Sequence, residues 1–153
     1  MRRKDRELPE VDALALVDGC AWSVVAMVNP DGTPYCVPLS LVRDGEWLYF
    51  HSAREGQKVD NLRRNGAVCI SCVGDVRASP GEFSLFYESA IISGMASEVT
   101  DREEKIRALR LIGLRYTPDN MPAFDGVVKR DYDVTVVWKV RIDRITGKGK
   151  RPK

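Results

Sequence analysis

The chain has 153 residues, with 24 Lys and Arg against 22 Asp and Glu, a net charge of +2. That length suits a single domain with a core of its own, and the near-balance of charge leaves no broad electrostatic footprint for nucleic acid. No apolar run is long enough to cross a bilayer as a helix. The charged start lacks the apolar segment of a secretory signal, so a cytoplasmic protein is expected.

Residues 9–17 predict a short helix. Pro9 suits an early helical position, Val11, Leu14 and Val17 recur at helical spacing, and Gly19 closes the element. Residues 22–28 are rich in Val and predict a strand. Asn29-Pro30-Asp31-Gly32 is a turn signal, and residues 35–42 predict the returning strand. Pro38 within that strand points to an edge, a bulge or an opening in the ladder. Asp44-Gly45 reads as a hairpin turn. Trp47, Leu48, Tyr49 and Phe50 favour a pleated, half-buried third strand, 47–51.

A helix follows over 56–64, then a strand over 68–73 and a loop over 75–82 holding Pro80-Gly81. Residues 85–99 predict a long strand with a bulge at Ser93-Gly94. Thr100-Asp101-Arg102-Glu103 opens a helix in the manner of a capping box. Its apolar side is Ile106, Leu109, Ile112 and Leu114, and it ends near Tyr116-Thr117-Pro118. Residues 119–133 read as loop or short helix, and 135–145 as the last strand. The basic ends, Arg2-Arg3-Lys4 and Lys148 to Lys153, read as solvated tips, with about 148–153 a flexible tail. Six hairpin-linked strands interrupted by two or three helices predict a mainly β domain spanning 1–153. The expected architecture is an antiparallel barrel with helices packed outside, not a doubly wound sheet.

The cysteines are Cys20, Cys36, Cys69 and Cys72. Cys69-Ile70-Ser71-Cys72 has CxxC spacing but lies in a predicted strand, where its two thiols face opposite sides. A zinc pair or a redox dithiol does not suit that geometry; reduced, structural, metal-free cysteines do. His51 is the only histidine, which excludes multi-histidine metal sites. No nucleophile elbow, dinucleotide fingerprint or P-loop accompanies it.

The joint from Trp47 to Lys58 is a strand that ends in a polar turn and opens a basic helix. It gathers backbone N–H groups, the Ser52 hydroxyl and the Lys58 ammonium where they can meet a phosphate. Taken without its neighbours, the same joint also reads as a strand–turn–helix connection with solvated charges, and His51 as a strand-end histidine. Trp22, Trp47 and Trp138 read as core or interface aromatics, with Trp138 the one candidate for a cofactor contact.

Several ordered motifs resemble one family. They are Tyr35-Cys36-Val37-Pro38-Leu39, then Leu48-Tyr49-Phe50-His51-Ser52-Ala53-x-x-Gly56-x-Lys58, then Leu62-x-x-Asn65 before Val68-Cys69. Tyr87-x-Ser89-x-x-x-x-Gly94-x-Ala96, Tyr116-Thr117 and Ile145-Thr146-Gly147-Lys148 complete the set. Together they look like the pyridoxamine 5′-phosphate oxidase-related split barrels, in the branch similar to nitroimidazole-resistance reductases. The resemblance implies a six-stranded split β-barrel that forms a homodimer with two FMN sites at its interface.

Carried onto this chain, it implies that Pro38, Leu39 and Ser40 line the flavin ring and that His51, Ser52, Ala53 and Lys58 hold the phosphate. Tyr87, Ser89 and Ile92 would approach the flavin, and Trp138 would cover the ring from the partner. His51 is the candidate catalytic residue. The implied activity is reduction of a small molecule, a nitroaromatic or a pyridoxamine phosphate-like compound, with electrons from a nicotinamide donor. The flavin would carry those electrons, so no catalytic triad is required. Two positions depart from the family pattern. Residues 40–42 are Ser-Leu-Val where relatives often carry a polar–aromatic–glycine sequence, and Arg115 stands where relatives often have histidine. Both departures bear on the substrate side. A non-enzymatic flavin binder, a haem-handling split barrel and an F420-dependent reductase are the alternatives on the same fold.

Overall fold

The computed structural model describes residues 2–152. In chain order its elements are β1 (Glu7–Leu8), α1 (Glu10–Gly19), β2 (Ser23–Val28), β3 (Pro34–Leu39), β4 (Val42–Asp44), β5 (Trp47–Ala53) and α2 (Gln57–Arg64). Then come β6 (Ala67–Val73), β7 (Arg77–Ala78), β8 (Leu85–Glu98), α3 (Arg102–Tyr116), α4 (Phe124–Asp131) and β9 (Thr135–Lys150). The main path of the sheet is β3-β2-β6-β8-β9-β5-β4, with β1 added to β9 and β7 to β8. Every pairing is antiparallel. The path does not close: β3 and β4 are its two ends, joined in sequence only by Ser40 and Leu41. Six longer strands (β2, β3, β5, β6, β8 and β9) carry this split barrel, as expected, and β1, β4 and β7 are short additions.

Pro38 lies on the edge strand β3, where its missing N–H costs no ladder bond. Asp31, Gly32 and Thr33 make the turn between β2 and β3, with Gly32 at φ +84. The bulge expected in β8 is present, as a register shift between Ser93 and Gly94 opposite β9. Gly94 is required there because a Cβ would overlap the Arg141 carbonyl oxygen. The residue that caps α3 is Asp101, one position later than the motif suggested; its side chain accepts from the Glu104 N–H at 2.7 Å.

Two expectations are corrected. The predicted strand 35–42 is two strands, because Leu41 and Val42 are both buried and the chain turns a corner between the sheet's two edges. The last strand does not stop at 145, and residues 148–150 are not a tail. They pair with β8, Tyr87 opposite Lys150, and with β1, Glu7 opposite Lys148. Lys153 lies outside the described residues. The loop around residues 119–133 is resolved into a 3-10 turn, Pro118–Ala123, and α4.

The barrel interior is one apolar cluster that includes Val25, Leu48, Phe50, Ile70, Ile92, Trp138 and Val140. Phe50 and Trp138 stack with ring centroids 6.4 Å apart. A second, smaller cluster lies on the outer side of the sheet, where α3 covers Val42, Tyr49, Val99 and Val137. Polar groups fasten that helix. Glu104 accepts from Tyr49 Oη at 3.0 Å and from Lys139 Nζ at 2.8 Å.

The rest of the outer side carries no helix. Pro34, Cys36 and Pro38 on β3 sit beside Val28, Ala26 and Val24 on β2. The row continues through Cys69 and Ser71 on β6 to Ser93 and Ile91 on β8. Val24, Val28, Val73, Ile91 and Met95 are all exposed on it. Among the described residues no helix is long and apolar enough to cross a membrane.

Candidate functional site

Gly56 opens α2 with φ +119 and ψ 162, a backbone region that essentially only glycine occupies. Nothing lies within 4 Å of a Cβ built there, so conformation and not space demands glycine. The Gly56 carbonyl takes the Val59 and Asp60 N–H groups at 2.8 and 3.1 Å. The Gln57 and Lys58 N–H groups precede the first helical bond and stay available, as at any helix start. A second contact fixes the helix against the β2–β3 turn. Asn29 Oδ1 accepts from Gln57 Nε2 at 2.9 Å and from Asn61 Nδ2 at 2.8 Å. Asn61 is 1% exposed, and its own Oδ1 has no partner.

Lys58 lies near enough to His51 for its charge to act on the ring. His51 projects outward from β5, and its pKa lies below the usual histidine value because burial disfavours the charged ring and the Lys58 charge adds to that. Lys58 is half-buried, and desolvation holds its pKa below the ordinary lysine range. No carboxylate pairs with Lys58 among the described residues. An uncompensated, partly desolvated ammonium beside an imidazole is an electrostatic vacancy for an anion.

Ser52 and Ala53 follow His51, but Ser52 points to the barrel side. Its hydroxyl donates to the Ala53 carbonyl at 2.8 Å and accepts from Trp138 Nε1 at 3.1 Å. Ala53 ends β5, exposed.

The other sequence-predicted residues fall into three places. Pro38 is exposed on the outer side of β3, and Ser40 is half-buried just after it, at the far end of β2 and β3 from α2. Tyr87 and Ser89 are half-buried on β8, opposite Lys150 and Lys148. Leu39, Ile92 and Trp138 face inward. Leu39 packs against the barrel core, and Ile92 and Trp138 are 0% and 1% exposed. Ile92 and Trp138, expected near the flavin, are barrel-core side chains in this chain and do not reach the outer face. Strand alternation accounts for Ile92, since its neighbour Ile91 takes the outward side. Trp22, by contrast, is 68% exposed at the start of the outer face, so it is no core aromatic.

The cysteines alternate as their strand requires. Cys69 is exposed on the outer face and Cys72 is buried, its thiol pushed up to about 11 mainly by burial. All four thiols are free. The Arg115 and Tyr116 contacts were not foreseen. Arg115 Nη2 donates to Cys20 O at 2.6 Å and Val17 O at 3.2 Å, and Tyr116 Oη donates to Leu41 O at 2.7 Å. They tie the end of α3 to the end of α1 and to the β3–β4 corner; helical periodicity in α3 carries no signal for either contact. A cavity of about 790 Å³ lies between α1 and the ends of β6, β8 and β9. There Arg151 pairs with Asp12 and Glu88, and Lys150 with Glu82.

Comparison with known proteins agrees with the fold. The family model for pyridoxamine 5′-phosphate oxidase matches residues 9–149. Among solved structures, a candidate 5-nitroimidazole antibiotic resistance protein from Bacteroides thetaiotaomicron is 30% identical. The match covers 93% of this chain and 85% of that one, with a TM-score of 0.78. An FAD and heme binding protein from Mycobacterium smegmatis is 22% identical over 96% of this chain and 74% of its own, with a TM-score of 0.81. An FAD binding protein from the same organism is 19% identical over 96% and 99%, with a TM-score of 0.70. At those identities the two Mycobacterium proteins speak for the fold alone. No curated protein matches the chain by sequence. The open antiparallel barrel, the Gly56 turn with its basic helix and a family match over nearly the whole length converge: this chain belongs to the pyridoxamine 5′-phosphate oxidase family of split barrels.

Proposed function

We propose that the protein is an FMN-dependent oxidoreductase that reduces a small molecule, working as a homodimer. One observation carries the flavin reading: Lys58 is half-buried without a carboxylate partner, beside His51 and at the start of a helix opened by Gly56. Those are the donors that a phosphate dianion takes up. FMN ends in such a phosphate, and the donor set fits it. His51, Lys58 and the first N–H groups of α2 would hold the phosphate. Ser52 spends its one O–H on the Ala53 carbonyl and accepts from Trp138, so in this arrangement it offers the dianion no donor. Pro38 and Val24, exposed and apolar on the outer face of β3 and β2, would bear on the ring. When bound, the flavin supplies the electron or hydride transfer. The protein's part is to seat it, shield it and admit the substrate.

The homodimer reading rests on the uncovered outer face. Val24, Val28, Ile91 and Met95 are exposed there together with Pro38, on one side of the sheet, with Cys69, Ser71 and Ser93 among them. A second copy laid on it would bury roughly 2,000 Å² in total, the scale of obligate dimers. Four free cysteines suit a reducing compartment such as the cytoplasm.

The spectrum of the purified protein tests the reading. Flavin absorption bands, with the cofactor released on denaturation identified as FMN, are expected. A Soret band would replace the flavin reading with haem, and a deazaflavin band would replace it with F420. Turnover with a nicotinamide donor and a nitroaromatic or quinone acceptor then separates enzyme from binder.

A further inference from the structure

A cavity of about 420 Å³ opens at the end of β2, bounded by Asp18, Cys20, Trp22, Arg115 and Tyr116. Its aromatic wall is Trp22, 68% exposed, and its floor is Tyr116, whose ring carries the Arg115 guanidinium 5.1 Å above its centroid. Asp18 is neutralised by Arg43. Arg115 is half-buried and has no carboxylate partner among the described residues. It spends Nη2 on the Val17 and Cys20 carbonyls, and its Nε and Nη1 have no acceptor among the described residues. The cavity therefore carries one unbalanced positive charge, spare N–H donors and an exposed indole face.

We propose that this cavity binds a small planar aromatic carboxylate, its ring against Trp22 and its carboxylate on Arg115. A carboxylate supplies the missing charge and accepts a charge-assisted hydrogen bond from the free guanidinium edge. The ring finds a π face of the size it needs. The position is next to the strand that the flavin reading assigns to the ring. Ser23, which follows Trp22, has Leu39 as its partner on β3, and Tyr116 Oη holds the Leu41 carbonyl at the β3–β4 corner. As a statement about substrate class, the inference rests on that flavin reading; as a statement about the cavity, it does not.

The test uses benzoate, with benzamide as its neutral isostere, titrated into the protein with and without added FMN. Calorimetry gives affinity and Trp22 fluorescence gives location. Benzoate is expected to bind at least about tenfold tighter than benzamide and to quench a signal that Trp22→Phe removes. Arg115→Gln should bring benzoate down to the level of benzamide, and Arg115→Lys should retain part of the preference. Equal affinity for the two probes, no binding of either, or quenching that survives in Trp22→Phe would overturn the inference. If Arg115→Gln fails to fold, because it also frees two carbonyls of the α1 end, the comparison in the unsubstituted protein decides alone. A protein that takes no flavin yet prefers benzoate refutes the flavin reading only; one that takes FMN and shows no preference refutes the carboxylate site only.

Discussion

Replacing Lys58 by methionine should change stability and flavin affinity in opposite directions. In the free protein Lys58 is a half-buried ammonium with its pKa held down by desolvation, and no carboxylate balances it. Methionine keeps the length and apolar stem, removes the desolvated charge and leaves no acid orphaned. The free protein should melt at the same temperature or slightly higher. The His51 pKa should rise, since the Lys58 charge is one of the two effects depressing it. FMN binding should suffer. A hydrogen bond to a charged group contributes about 1.5–3 kcal/mol, and partial exposure of Lys58 places it toward the lower end. That corresponds to a loss of about ten- to a hundredfold in affinity. Riboflavin shares the ring and the ribityl chain but has no phosphate, so its affinity should change less than about threefold. Titrating both ligands into both apoproteins by flavin fluorescence reads the difference. Equal losses for FMN and riboflavin would show that Lys58 acts through the fold or the ring pocket, and the phosphate assignment would fall.

Three further outcomes are expected. His51 is the chain's only histidine, so one ring signal in a proton NMR titration reports it without assignment. Its pKa should lie below the ordinary value of about 6.5 in the free protein and rise when FMN binds; a pKa that does not move on FMN addition would remove His51 from the phosphate site. Because the folded pKa is the lower one, the unfolded chain takes up the proton first. Stability should then fall as pH drops from about 6.5 to the folded pKa, and level off below it. His51→Gln should flatten that limb in urea melts at a series of pH values. Gly94→Ala should destabilise by about 3 kcal/mol or more, since the added Cβ overlaps the Arg141 carbonyl oxygen and backbone must move; an unchanged urea midpoint would mean that the bulge is looser than described. The unsubstituted protein should sediment as the proposed dimer, and Ile91→Glu, on the uncovered face, should leave the fold intact and give a monomer. A dimer that persists would place the interface elsewhere.

Much of this fold is legible in the residues, and the exceptions have physical causes. Pro38 announces an edge because proline cannot donate to a ladder, and Ser93-Gly94 announces a bulge because glycine marks a close backbone approach. Residues 148–150 hide their strand. Gly147 and Gly149 lack the branched side chains that signal a strand; an added Cβ at Gly147 would sit 2.9 Å from the Leu8 and Ala13 side chains, and one at Gly149 would sit 3.2 Å from the Leu8 side chain and the Tyr87 carbonyl oxygen. Lys148 and Lys150 then read as tail charges, although Lys150 pairs with Glu82. The β3–β4 corner is hidden too, since Leu39, Leu41 and Val42 look like one apolar run until the sheet path is known. In the site, the Gly56–Lys58 turn is legible because it is local. The inward placement of Ile92 and Trp138 depends on strand parity across a bulge and on which side of the sheet faces the barrel, and neither is local.

The distribution of charge gives a reason for the site to lie where it does. Most described cations that touch the body of the barrel have a carboxylate: Arg43 has Asp18, Lys139 has Glu104, Lys150 has Glu82, and Arg151 has Asp12 and Glu88. Lys105 and Lys148 are half-buried without one on other parts of the molecule, and so are Lys58 and Arg115, which stand at opposite ends of β2 and β3. Desolvating a cation without a partner costs free energy in the absence of a ligand. That cost is retained at two points flanking one exposed apolar face. An elongated molecule with an anionic end, lying along β2 and β3 from α2 toward the β3–β4 corner, would compensate the first cation and bring its other end near the second. FMN has that form, with its phosphate at one end and its ring at the other, so a substrate held by Arg115 would meet the ring and not the phosphate. The arrangement gives a sharp order of effects: loss of Lys58 should weaken the cofactor, while loss of Arg115 should leave FMN affinity alone and alter only what is bound beside it. Reversal of that order, with Arg115→Gln losing FMN and Lys58→Met keeping it, would mean that the flavin runs the other way along the face.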